Sequence, residues 1–246
     1  FPRFDSPACF AALLGTPEHG RWLLAPAVPL RAVRRRYRPG TLILETEYET
    51  DAGVVGLIDF MPPRDGAPDL IRIVEGRAGR VPMRLDLTIR FDYGSVVPWV
   101  RQTGGRLRAT AGPDTLYCRT GAELHGADLH TVASFTVTAG QRVPFELAWA
   151  PTYQPEPRPG DPERALRDTE QWWTAWSARC SFQGEWREPV LRSMITLKAL
   201  TYAPTGGIVA APTTSLPERL GGVRNWDYRY CWLRDSTFTL YALMVG

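Results

Sequence analysis

The sequence predicts an antiparallel β-sandwich followed by an α-helical unit, and three observations carry that reading. Apolar and polar residues alternate from about Thr41 to Trp149, five prolines crowd the twelve residues from Pro151 to Pro162, and apolar spacing turns helical thereafter. Alternation marks strands with one buried face, whereas a repeat of about 3.6 residues marks an amphipathic helix. Strands first and helices afterwards describe an all-β domain joined to a helical one.

Leu42, Leu44, Thr46 and Tyr48 begin the alternation, and strand-like runs follow at Val54 to Phe60 and Leu70 to Glu75. The clearest case sets Met83, Leu85, Leu87, Ile89 and Phe91 against Arg84, Asp86, Thr88 and Arg90, which are expected to face water. Thr115 to Arg119, Thr131 to Thr138, and the set Val143, Phe145, Leu147 and Trp149 complete the series. Turn residues at Asp51-Ala52-Gly53, Gly104-Gly105 and Ala139-Gly140 separate these runs. Many short strands with regular turns predict two sheets that bury their apolar faces against each other.

The prolines from Pro151 onward favour an extended, stiff connector and place a domain boundary there. We therefore read residues 1–150 as the sandwich, 151–184 as a Pro-rich and helical linker, and 185–246 as the start of a helical domain. Asp161 can cap a helix with Pro162 in its first position, and Glu163 adds negative charge where the helix dipole favours it. That helix should reach about Ala178, with Leu166, Trp173 and Trp176 near one face. The Trp172, Trp173 and Trp176 cluster then reads as packing rather than as a ligand platform. A second helix runs from about Glu188 with Val190, Met194, Leu197 and Leu200 at helical spacing, and it ends before Pro204 and Gly206-Gly207. A third begins near Asp235 and carries Leu240 and Leu243. The chain opens at Phe1 without a Met and stops at Gly246 after an apolar run, as a piece of a longer protein would.

Composition narrows the function. Hydrophobic residues make up 44% of the chain and charged residues 22%, enough apolar material for a sizeable core. A formal net charge of +3 from 29 basic and 26 acidic residues is too small to hold a phosphate backbone, so nucleic acid is not an expected partner. The densest basic run, Arg34, Arg35, Arg36 and Arg38 around Tyr37, reads as a solvated strand edge in preference to an anion patch. Cys9, Cys118, Cys180 and Cys231 lack C-x-x-C spacing and show no ligand pattern with His19, His125 and His130, so neither a metal site nor a disulfide scaffold is expected. No apolar run is long enough for a membrane span and the start has no signal-peptide order, which makes a soluble, cytoplasmic protein the expectation.

One loop carries chemistry. Between the second and third helices, Trp226 to Asp235 hold two Trp, two Tyr, two Asp and two Arg within ten residues. Aromatic rings offer flat faces to the C–H faces of a pyranose, while Arg and carboxylate groups exchange directed hydrogen bonds with its hydroxyls. A loop at a helix N-terminus, held by a rigid scaffold, is where such groups can converge. Composition alone leaves a plainer reading equally open, in which Asp235 caps the third helix and Arg234 pairs with Asp227. Phosphate binding at Gly221-Gly222 is disfavoured, because no G-x-x-x-x-G-K-[ST] pattern is present.

The run APTTSLPE followed by GGVRNWDYRYCWLRDS resembles the first barrel loop of glycoside hydrolase family 15, which includes glucoamylases, glucodextranases and bacterial trehalases. More weakly, FPRFDSPACFAALLG resembles the opening of the family's bacterial amino-terminal domain. The resemblance implies a β-sandwich, a linker and then an (α/α)₆ barrel whose loops form the active site, here truncated. It implies that Arg234 and Asp235 hold hydroxyls of a terminal glucose, with Trp232 against the sugar and Tyr228 near the developing oxocarbenium ion. It further implies inverting hydrolysis of an α-glucoside, either an α-glucan end or trehalose, with no cofactor. Inversion uses one carboxylic acid and one carboxylate, roughly 6.5–9.5 Å apart. Both are Glu residues on later barrel loops in the family, so no catalytic residue is expected in this chain and the pair is expected beyond Gly246. Glu218 and Asp227 share the loop but the resemblance gives them neither role.

The competing reading, from a different class, is a non-catalytic sandwich that binds carbohydrate or supports the barrel. Exposed aromatic rings on one sheet face would favour binding, and Tyr93 and Trp99 are the candidates. Val190 to Leu200 and Leu240 to Val245 are expected to expose apolar surface that barrel helices would otherwise cover.

Overall fold

The computed structural model describes residues 2–63, 68–103 and 105–246. The β-rich part contains strands β1 (Arg21–Pro26), β2 (Leu30–Tyr37), β3 (Leu44–Thr50), β4 (Gly53–Phe60), β5 (Asp69–Thr88), β6 (Trp99–Thr103), β7 (Arg106–Ala111), β8 (Asp114–Thr120), β9 (His125–Ala127), β10 (His130–Thr138) and β11 (Arg142–Pro151). After it come α1 (Pro162–Ser177), α2 (Arg187–Ala199), the short strands β12 (Thr201–Tyr202) and β13 (Gly207–Ile208), and α3 (Leu233–Val245). The chain divides into two compact units: Ser6–Arg38 and Ile43–Glu170 make up nearly all of the first, and Arg3–Asp5, Pro39–Leu42 and Gln171–Gly246 form the second.

In the β-rich unit all pairings are antiparallel, and β5 belongs to two layers. Its first half pairs with β4 and β11 in a sheet of order β2-β3-β4-β5-β11-β8-β7-β6. Its second half pairs with β1 on one side and β10 on the other, and β9 extends β10. The sequence pattern reads Leu70 to Glu75 and Met83 to Phe91 as separate strands, but the chain runs through as one. Two glycines make this possible where the strand changes layer. Gly79 has φ +69°, and a Cβ there would lie 2.2 Å from the Ala52 carbonyl oxygen. A Cβ on Gly76 would lie 2.0 Å from the Thr138 carbonyl oxygen. Close approach of three backbones at such a corner requires a residue with no side chain.

The alternating residues meet between the layers. Leu24, Met83, Leu85, Leu87 and Val137 from one layer pack with Leu57, Val74, Leu116, Cys118, Phe145 and Leu147 from the other in one buried cluster. This is the sandwich that the period-two pattern predicts, and burial of each large side chain contributes about 1.5–3 kcal/mol. The outer face of the larger sheet has its own apolar strip, where Ile43, Ile58, Phe60, Ile71 and Ile73 pack with Leu166 from the start of α1. Asp161 fixes that helix start, since its Oδ1 accepts hydrogen bonds from the amides of Glu163 (2.9 Å) and Arg164 (3.2 Å).

Polar positions depart from the simple alternation. Thr88 and Arg90, expected to face water, are buried, and β5 ends at Thr88. Glu146 is also buried, and the guanidinium of Arg119 donates to it at 3.1 Å and to Glu156 at 2.8 Å. Other segments engage these positions, since Thr88 meets His130 at 2.8 Å, Arg90 donates to the Leu129 carbonyl and Arg119 reaches Glu156. The Arg34 to Arg38 run lies in and just after edge strand β2, and its charges are matched across the sheet. Arg34 meets Glu47 and Glu49, Arg36 meets Glu45, and Arg38 meets Glu45 and Glu170. It is an ion-pair ladder on a strand edge. Of the expected turn Gly104-Gly105, Gly104 lies outside the described residues; Gly105 has φ +75°.

In the second unit, Trp173 is buried and makes edge-to-face contacts with Trp172 (4.8 Å between centroids) and Trp176 (6.2 Å). Lys198 lies over the Trp172 ring. Trp173 is thus a packing residue, Trp176 is half-buried beside it, and Trp172 is exposed. No helix among the described residues is long and apolar enough to cross a membrane.

Candidate functional site

The aromatic loop belongs to the second unit and folds back on itself. The amides of Ala210 and Ala211 donate to the carbonyls of Tyr230 (3.1 Å) and Tyr228 (2.8 Å). Farther out, Ser215 donates to Trp226 (2.7 Å) and Glu218 to Arg224 (3.2 Å), with a β-bridge between Thr214 and Asp227. The prolines at Pro212 and Pro217 exclude a regular ladder, so the two arms are tied at intervals. The tip turns at Gly221, which has φ +76°.

Side chains fix the inner arm. The Trp226 indole N–H donates to Glu218 Oε1 at 2.8 Å, and the Trp232 indole N–H donates to the Asp227 carbonyl at 2.9 Å. Trp232 stands edge-on to Tyr228 (5.7 Å between centroids) and to Trp226 (6.2 Å). Asp227 takes two hydrogen bonds from the Arg229 guanidinium, at 3.0 and 2.9 Å, and one from the Arg229 amide at 3.0 Å. Those bonds, with the side-chain pair first, hold the Asp227 carboxyl below the usual carboxylate range. Asp227 is therefore committed to shaping the loop.

This settles two of the open local readings. Arg234 does not pair with Asp227, whose partner is Arg229; Arg234 Nη2 instead lies 3.2 Å from its neighbour Asp235. Nor does Asp235 cap the third helix. Trp232 occupies the cap position of α3 and makes no side-chain capping bond, while Asp235 sits in the first turn. There the helix dipole favours its charge, with its carboxylate a third exposed and able to accept further hydrogen bonds.

The structure brings Tyr228 and Trp232 into contact and joins Arg234 to Asp235. Among the described residues no hydrogen bond, ion pair or ring contact links the first pair to the second. Ser215, Glu218 and Arg229 are the residues that a motif reading passes over, although their hydrogen bonds set the loop. A separate cavity of about 350 Å³ in this unit is lined by Trp176, Met194, Ile208 and Leu240, and by none of the four predicted site residues.

Comparison with known proteins gives the class first. A family model described as "Trehalase-like, N-terminal" matches residues 1–172, more than half of the chain. A second, described as "Glycosyl hydrolases family 15", matches residues 184–246 and so covers the aromatic loop. The chain belongs to the family of trehalase-like amino-terminal domains, and its last part matches glycosyl hydrolase family 15. It is similar to the trehalase of Mycolicibacterium smegmatis, 34% identical over 270 residues that cover 98% of this chain and 40% of that protein. The trehalase of Mycobacterium tuberculosis is 35% identical over 272 residues, with 98% and 39% covered. That of Thermoplasma acidophilum is 31% identical over 253 residues, with 98% and 43% covered. The chain thus spans about two fifths of the length of these relatives.

Proposed function

We propose that this chain forms the amino-terminal part of an inverting α-glucoside hydrolase, and that its substrate is trehalose. The observation that carries the reading is the likeness to trehalases along 98% of the chain, joined to a loop that presents Arg234 and Asp235 beside each other at the start of a helix. The motif alone leaves α-glucan ends and trehalose open, since both offer a terminal α-glucose. Similarity that extends through the amino-terminal domain favours trehalose.

On this reading Arg234 and Asp235 hold glucose hydroxyls by charge-assisted hydrogen bonds, one as donor and one as acceptor. Trp232 lines the sugar face and Tyr228 stands near the reaction centre as positive charge develops. The general acid and base are carboxylates of later loops, and Glu218 and Asp227 remain loop-shaping groups because each is engaged by an indole or guanidinium. Residues 1–150 act as the sandwich domain, 151–184 as the linker, and 185–246 as the first part of an (α/α)₆ barrel. The barrel assignment is supported by α3, whose Phe238, Tyr241 and Met244 are well exposed and fit a surface that further helices cover.

The test is an assay of the full-length protein on trehalose and on maltotetraose, with the product followed by NMR before it mutarotates. The proposal expects trehalose to be the better substrate and one β-glucose to be released per bond cleaved. Faster turnover of maltotetraose would replace the substrate, and release of α-glucose alone would replace the mechanism.

A further inference from the structure

We propose that the cleft between the start of β6 and the β9–β10 hairpin is a binding site for a neutral saccharide, built from residues of the β-rich unit alone. The inference goes beyond the reading of the barrel loop and does not rest on it. The cleft measures about 560 Å³, within the range of small-ligand sites. On one wall lies Trp99, whose ring on edge strand β6 is 87% exposed. A large indole held in water offers a flat face to the C–H side of a pyranose.

The lining also contains Arg90, which is only 5% exposed. Its Nη1 donates to the carbonyls of Ile89 (2.8 Å) and Leu129 (3.2 Å), and no carboxylate lies within ion-pair distance of it among the described residues. The contrast with buried Arg119, matched by Glu146 and Glu156, is direct. Among the described residues no protein acceptor engages the Arg90 Nε or Nη2, and neither is a buried unsatisfied atom, so these donors meet solvent and can turn to a ligand that supplies acceptors.

Acceptors also line the cleft. Asp128 stands at the hairpin tip with φ +47°, makes no ion pair among the described residues and is exposed. Gln102 gives its Nε2 to the Leu124 carbonyl and so keeps its amide oxygen. A sugar hydroxyl donates and accepts at once, so a ring placed on Trp99 can take hydrogen bonds from Arg90 and return them to Asp128 and Gln102. The carboxylate of Asp128 also disfavours an anion. His130, a further polar group of the lining, is already engaged by Asp86 and Glu18, each at 3.0 Å.

The experiment is a saturation-transfer NMR titration of the 246-residue protein with maltotetraose and with trehalose, repeated on three variants. We expect a saturable binding component for at least one sugar that is weakened about tenfold or more by Trp99→Ala, reduced by Asp128→Asn, and still present in Arg234→Ala. Trp99 is exposed enough that its removal leaves the fold intact, and Asn tolerates the positive φ of residue 128. Four results overturn the proposal: no binding of either sugar, binding indifferent to Trp99→Ala, binding lost only in Arg234→Ala, or displacement of the sugar by inorganic phosphate. Self-association abolished by Trp99→Ala, without sugar binding, would also overturn it by assigning the surface to a second copy.

Discussion

The β-rich unit and the helical unit use the same residue types in opposite ways. Phe145 is fully buried between two sheets, while Phe238 on α3 is 68% exposed. Arg119 is buried and paired with Glu146 and Glu156, while Arg234 is exposed and, among the described residues, pairs with its neighbour Asp235 alone. In the first unit, partners come from strands far apart in sequence, and the side chains between the sheets are buried by them. In the second, the loop and α3 present apolar and charged groups outward. The difference separates residues that hold the fold from residues available to a ligand or to further chain.

Substitutions of matched residues should widen or erase that difference. Phe145→Ala should lower unfolding free energy by about 3–5 kcal/mol in a denaturant titration, and Phe238→Ala should stay within about 0.5 kcal/mol. Equal losses would show that α3 is as well packed as the sandwich. Glu146→Ala, which strips a buried guanidinium of one of its two carboxylates, should cost about 3 kcal/mol, while Asp235→Asn should leave the unfolding midpoint in place. Removal of the cap in Asp161→Ala should cost about 1 kcal/mol and loosen the start of α1, read by hydrogen exchange of Glu163 and Arg164.

The smallest effect depends on pH. The hydrogen bond to Asp86, then that to Glu18, raises the His130 pKa above its ordinary value despite partial burial. Its stabilisation is therefore complete below the ordinary imidazole pKa and is lost as pH rises through the raised folded value. For Asp86, burial is the largest influence and acts upward, but bonds from His130 and Arg21 outweigh it and lower the pKa. That contribution is present above the ordinary carboxylate pKa and fades as pH falls through the lowered one. His130→Gln should thus cost about 1 kcal/mol near pH 5.5 and less at about pH 9. An equal cost at both values would show that the histidine acts by packing alone.

Strand periodicity read the sandwich well because its core residues alternate without interruption, as Met83, Leu85 and Leu87 do. It divided β5 wrongly, since the continuity of that strand depends on Gly76 and Gly79 meeting distant backbones, which no local pattern encodes. It also sent Arg90 and Thr88 to solvent, because loop cover is a tertiary property. In the helical unit, Asp161 and Pro162 announced α1 through local capping chemistry. The motif drew attention to Tyr228, Trp232, Arg234 and Asp235 by residue type. That Asp227 belongs to Arg229 was not legible, as either arginine lies within reach in sequence and only the turn of the loop chooses. Trp99 is visible in the sequence as a candidate, but Arg90 in the same lining is not, because alternation assigns it to solvent.

The central claim is that Arg234 and Asp235 hold the terminal glucose, and steady-state kinetics of Arg234→Ala in the full-length protein on trehalose tests it most directly. The account predicts a fall in kcat/KM of about tenfold to a hundredfold, the loss of a charge-assisted hydrogen bond of about 1.5–3 kcal/mol, with an unchanged unfolding midpoint. An unchanged kcat/KM would show that the pair serves the helix and not the sugar.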